Sequence, residues 1–242
     1  MIIFKDSAIF TTMTKSIKFF LCLMLFFYKT SAQEQEAWII KYTINLIDYL
    51  NTRKTYQSSQ EKEYDGSPYL NENFVAGDLF YDGKYWFKDI PLRYNIYHDE
   101  MELSDKGTAY AIAPTHLIDQ VIISTDTFVV DSIQSGSNKI KGFFKLLLKG
   151  KVSLLLKMNV GLLPGQSAKL YNDATPPKFT RDKNIIYASI GKDQPQKFRN
   201  INELIAIIND KQKLLSEYIK MNKLSSKNTK DFIKLASYYN SL

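Results

Sequence analysis

The sequence predicts an α+β protein: an antiparallel, β-rich body, either a sandwich or a curved half-barrel, followed by two or three carboxy-terminal helices. Three observations carry this reading. Asp82-Gly83 sits between Leu79-Phe80-Tyr81 and Tyr85-Trp86-Phe87, the pattern of a tight hairpin whose turn needs positive φ. Val152, Leu154, Leu156, Met158 and Val160 alternate with more polar positions, as on a strand with one wet face. From Asn200 onward the apolar period becomes helical, and strands followed by helices is the order of an α+β chain.

In chain order, Lys15 and Lys18 precede the apolar run Phe19 to Tyr28, and Thr30-Ser31-Ala32 supplies small residues before Gln33. This is the layout of a signal peptide over residues 1–32; an uncleaved membrane anchor is the alternative. The lone Cys22 lies inside the apolar run. Cleavage after Ala32 would leave a chain without thiols, hence without disulfides or cysteine-ligated metal. The chain has 32 basic and 25 acidic residues, of which Lys5, Lys15, Lys18, Lys29 and Asp6 precede Gln33, leaving 28 against 24 and a charge of +4. Much of that excess alternates with apolar positions in the carboxy-terminal helices. It reads as a solvated helix face and not as a nucleic-acid surface.

Residues 33–65 form an amino-terminal segment and linker. Glu36 to Leu50 suits a short helix or an extended segment, and Asn51 to Asp65 reads as a flexible connector. The β domain spans 66–199. Within it, Ile90 to Leu103 is unusual: Leu92, Tyr94 and Ile96 share one face, but Met101 and Leu103 belong to the other. A strand cannot exchange faces, so a bulge or sheet change is expected near Tyr97 to Asp99. Short strands follow at Thr108 to Ala113, Gln120 to Ser124 and Thr127 to Asp131, with a polar loop over Ser132 to Asn138. A second hairpin pairs Phe143–Leu148 with Val152–Val160 around Lys149-Gly150. Pro164-Gly165 and Pro176-Pro177 bracket a loop-rich excursion, and Asn184–Ile190 with Gln196–Arg199 makes a last hairpin. About eight to ten strands with a face switch favour a bent sheet. The helical segment over 200–242 packs on it, with Asn228 as an N-cap.

The inventory of reactive groups is thin. No G-x-S-x-G, Walker loop, G-x-G-x-x-G or H-E-x-x-H occurs. No cofactor or metal site is expected, since only His98 and His116 are available as imidazole ligands. Asp99, Glu100, Glu102 and His98 are the residues a hydrolase of an envelope polymer would have to use. The plainer reading of Glu100 and Glu102 is a solvated, edge-protecting strand end, with Arg93 or nearby lysines as counter-charges. The aromatics around Asp82-Gly83 suit either cross-strand packing or a contact platform.

Five segments then carry a resemblance: GSPYL (66–70), FxxGxLFYDGK (74–84), PLRYNIYHDEMEL (91–103), FFKLLLKGKVSLLLK (143–157) and the terminal YYNSL. Together they resemble a family of small exported proteins common in Bacteroidota, over most of the mature chain and least between Glu36 and Asp65. That family has no assigned activity, so the resemblance implies an envelope location and transfers no catalytic residue.

The expectation is therefore a non-catalytic binding or structural protein of the cell envelope, exported to the periplasm or surface. Its partner would be another envelope protein, such as an outer-membrane component, with peripheral membrane association as an accompaniment. The contact candidates are Trp86, Arg93, Tyr97, Tyr85 and Phe87, because aromatics and arginine dominate interaction hot spots. The alternatives are a half-barrel that carries a lipid in its concavity, or the hydrolase above.

Overall fold

The computed structural model describes residues 53–54, 64–113, 115–168 and 173–242. The expected signal peptide and the segment Glu36 to Leu50 lie outside them. The strands are β1 (Arg53–Lys54), β2 (Val75–Tyr81), β3 (Tyr85–Asn95), β4 (Glu100–Asp105), β5 (Thr108–Ile112), β6 (Ile118–Ile123) and β7 (Asp126–Ser135). They continue with β8 (Asn138–Leu148), β9 (Val152–Lys157), β10 (Val160–Leu163), β11 (Lys178–Arg181), β12 (Ile185–Ile190) and β13 (Gln196–Phe198). Helices α1 (Ile201–Ile208), α2 (Gln212–Asn222) and α3 (Thr229–Ser241) close the chain.

Eleven strands form one open antiparallel sheet in the order β1-β5-β4-β3-β2-β6-β7-β8-β9-β12-β13, while β10 and β11 pair apart from it. The expected α+β class and antiparallel body are observed. The sheet is strongly curled. Tyr94 on β3 and Phe128 on β7 are three strand spacings apart, roughly 14 Å on a flat sheet, yet their ring centroids lie 5.2 Å apart. Phe143 on β8, one strand further, is 6.0 Å from Tyr94. Only a sheet bent around this face brings them together, which is the half-barrel form of the expectation. Leu79, Ile90, Leu92, Met101, Leu103 and Ile123 are all fully buried and complete this core.

At the β9–β12–β13 end the same face is covered by the helices. Val152, Leu154, Ala188 and Phe198 from the strands meet Leu204, Leu215, Phe232 and Leu235 from α1, α2 and α3. Burying each leucine contributes about 1.5–3 kcal/mol, and Leu235→Ala would cost about 2–5 kcal/mol because the pocket cannot collapse. Local chemistry starts the helices where the sequence places them. Asn200 Oδ1 accepts from Asn202 N and Glu203 N, both at 3.0 Å, and Asn228 Oδ1 accepts from Lys230 N at 2.9 Å. Asn240 near the end of α3 docks on β9, donating to Val152 O at 2.9 Å and accepting from Val152 N at 2.8 Å.

The Asp82-Gly83 hairpin is present as expected. Both residues have positive φ, 54° and 62°, and Lys84 N donates to Tyr81 O at 3.2 Å. Four expectations are corrected. Ile90 to Leu103 is not one bulged strand but two, β3 and β4, reversed by a turn over 96–99. The polar stretch 132–138 is mostly strand, because β7 and β8 pair out to Ser135 and Asn138. The second arm of the Lys149-Gly150 hairpin stops at Lys157, and Val160 belongs to β10. Within the supposed connector, Arg53–Lys54 pairs with Ala111 and Tyr110 of β5.

Candidate functional site

The contact candidates all lie on or beside β3, and the structure separates them. At its start, Tyr85 and Trp86 are 46% and 44% exposed. Trp86 stacks on its cross-strand partner Phe80, centroids 4.7 Å apart and planes 19° apart, and Tyr85 leans on Phe87 at 6.4 Å. The tip is braced from the side: Asp82 N donates to Leu117 O and Gly83 N to Asp119 Oδ2, both at 2.7 Å. Trp86 is thereby held against Phe80, while Tyr85 projects from the opposite face of the hairpin with Phe87.

Phe87 and Arg93 are buried, so neither stands on the contact surface. Phe87 reaches the inward face because a register shift between Gly77 and Leu79 puts one extra residue into β3 before Ile90. Arg93 reaches Glu102 through Nε at 2.8 Å and Nη2 at 2.7 Å, while Nη1 donates to Glu72 O at 3.0 Å and Nη2 to Tyr69 OH at 3.0 Å. Its guanidinium lies 3.7 Å from the centre of the Tyr69 ring and 4.4 Å from that of Phe74. The segment before β2 therefore lids the pair. Glu102 is buried as well, correcting its reading as a solvated strand end, and of the two expected sources of counter-charge, Arg93 or nearby lysines, Arg93 pairs with it.

Tyr97 lies past the far end of β3, whose length from Tyr85 to Asn95 is roughly 33 Å. It is 40% exposed and meets Phe179 of β11 edge-on at 5.3 Å. Arg181 of β11 also donates to Tyr69 O, so the β10–β11 flap is tied to this end.

The residues a hydrolase would need are divided between two structural clusters. Asp99 holds a positive φ of 56° in the β3–β4 turn and lies against the free edge of β8. Its Oδ1 accepts from Tyr94 OH at 2.6 Å and pairs with Lys157 Nζ at 2.6 Å. Both carboxylate oxygens lie 3.3 Å from Phe143 N, and Lys157 donates to Phe143 O at 3.0 Å. Beyond the point where β9 diverges, an ion pair thus supplies the acceptor and donor that a neighbouring strand would have given. Burial pushes the Lys157 ammonium down against the upward pull of Asp99. Burial, then the Asp99 charge and hydrogen bond, push the Tyr94 phenol well above its ordinary range.

Glu102 belongs to the other cluster, on the opposite side of the β3–β4 ladder from Tyr94. Its Oε1 accepts from Asn95 Nδ2 at 3.1 Å, and Asn95 Oδ1 accepts from His98 N at 3.1 Å. Asp99 and Glu102 therefore face no common gap in which a glycosidic bond could lie. Among the described residues, no group of three or more His, Cys, Asp or Glu is arranged to hold a metal ion.

No family model, curated protein or solved structure matches this chain. The geometry is thus what the functional reading rests on. Sequence reasoning missed two features: the Asp99–Lys157 clasp, and a cleft of about 520 Å³ between β12, β13 and the start of α3. The clasp left a trace in the lone Lys157 after three leucines. The cleft's basic residues are scattered over 183–227 and gave no local signal.

Proposed function

We propose that this protein is a non-catalytic binding or structural component of the cell envelope, which associates with another envelope protein through the tip of the β2–β3 hairpin. The observation that carries this reading is the Trp86–Phe80 stack, a half-exposed ring held on a braced turn. Such rings give contact area with little rotamer entropy left to lose, which is why aromatics serve as interface anchors. The carboxylates best suited to acid–base work are engaged elsewhere, Asp99 with Lys157 and Glu102 with Arg93. Rings of this chain fill the concavity around Tyr94, which favours a protein-binding surface over a lipid carried there. The charged and apolar layout of Lys15 to Ala32 supports export.

The test is affinity purification of the tagged full chain from cross-linked envelope fractions of its source cells, beside a Tyr85→Ala/Trp86→Ala variant. A stoichiometric protein present with the wild type and lost with the folded variant is expected. Absence of any such protein in the wild-type sample overturns the reading, and equal recovery with the variant rules out the hairpin tip.

A further inference from the structure

The cleft beside α3 combines two chemistries. Its wall is apolar: Leu156 of β9 and Ile186 of β12 are half-buried there, backed by the buried rings of Phe198 of β13 and Phe232 of α3. Around that wall stand four cations, Lys183, Lys197, Arg199 and Lys227, delivered by separate stretches of chain. No carboxylate lines the space. The acidic side chains near these residues in sequence are turned to other work. Glu203 accepts from Arg199 N at 2.8 Å and from Asn200 Nδ2 at 2.7 Å. Asp231 accepts from Ser225 N at 3.0 Å and lies 3.4 Å from Lys234. Asp182 lies beside Gly161 of the flap.

Four like charges around one apolar cavity repel one another, and an anion placed among them removes that repulsion. Water solvates the rim but not the wall, whose exposed apolar surface favours an apolar body. A volume of this size is in the range of small-ligand sites. We infer that this cleft binds a single amphiphilic anion, with an acyl or similar apolar chain against the half-buried Leu156 and Ile186 and a carboxylate or phosphate among the four cations. The positive end of α3 faces the same space through Thr229 and adds to the attraction. The site is separate from the hairpin tip and does not rest on the protein-binding reading.

The experiment is calorimetric titration of the full chain with dodecyl phosphate and with dodecanoate, both below their micellar concentrations. Inorganic phosphate, dodecanol and phosphatidylglycerol vesicles serve as separate arms. One-to-one saturable binding of the two amphiphiles is expected. It should weaken about tenfold or more, a loss of about 1.4 kcal/mol or more, in Lys183→Ala/Lys197→Ala/Lys227→Ala. It should be unchanged in Lys139→Ala/Lys141→Ala/Lys149→Ala, which removes the same charge elsewhere. All six lysines are exposed, so both variants should fold; Arg199→Gln alone gives the same reading if the first does not. No saturable binding of either amphiphile overturns the inference, as does equal weakening in the two triple variants. Equally tight binding of inorganic phosphate or of dodecanol also overturns it, and so does binding confined to vesicles.

Discussion

Gly142 and Asp99 meet where a side chain would otherwise stand: a Cβ on Gly142 would lie 2.5 Å from Asp99 Oδ2 and 2.7 Å from Lys157 Nζ. β8 can accept the β3–β4 turn at its edge because this position has no side chain. Gly142→Ala should push the carboxylate off Phe143 N and cost about 1–3 kcal/mol. Thermal unfolding would register this as a loss of roughly 2–10 °C for a domain of this size. An unchanged midpoint would show that the turn has room to retreat.

The Asp99–Lys157 pair is mostly buried, at 24% and 16% side-chain exposure. Asp99→Asn should leave Lys157 charged without its counter-ion and cost about 2–4 kcal/mol. Lys157→Met should cost less alone, and the double variant less than the sum of the two. A denaturant double-mutant cycle measures the coupling, expected at about 1–3 kcal/mol. Additive losses would mean that the pair is not an energetic unit.

The raised Tyr94 phenol fixes the sign of an alkaline transition. Above the ordinary phenol pKa of about 10 the unfolded chain releases a proton that the folded chain keeps, so stability from this group is intact below that pH and lost as pH rises beyond it. Tyr187, raised by burial, acts in the same direction. The depressed Lys157 acts oppositely, adding stability as pH rises toward its unfolded value. Tyr94→Phe should therefore be less stable than wild type near neutrality and lose less between pH 10 and 11. Urea midpoints across that range decide it; parallel curves would refute it.

Arg93 and Glu102 form a buried pair with no slack. Glu102→Ala should cost about 3–5 kcal/mol, because Arg93 keeps its charge away from water. Arg93→Met/Glu102→Leu should recover most of that loss. Equilibrium unfolding followed by tryptophan fluorescence distinguishes the two, and a double variant as unstable as the single would show that Tyr69 and Phe74 depend on the guanidinium.

The hairpins and caps were legible because their chemistry is local. Asp82-Gly83 and Asn228 each act on backbone groups within a few residues, so a short window of sequence contains both partners; Asn200 marked where the helical period begins, and its capping role emerged with the fold. The face exchange between Ile90 and Leu103 was also visible, but its cause was not. In the folded chain Leu92 lies opposite Leu103 and Tyr94 opposite Met101, so even positions on one arm meet odd positions on the other. That exchange of parity marks a reversal as well as it marks a bulge. The turn escaped notice because it contains neither Gly nor Pro. Asn95, whose side chain accepts from His98 N, and Asp99, which tolerates a positive φ, do their work. Arg93 could not be assigned to the interior until β4 had been placed beside β3. The clasp depends on four strands intervening between β3 and β9, a distance no periodicity reports.

The sheet order ends at β13, a strand of three residues. A strand that brief offers a neighbouring copy only a few backbone groups to pair with, too few to repay the ordering of an added strand. A wide, apolar, antiparallel sheet is otherwise the geometry from which fibrils grow. At the β13 edge a neighbouring copy finds little to extend, and lengthening β13 by a few β-branched residues would be the direct route to a polymer.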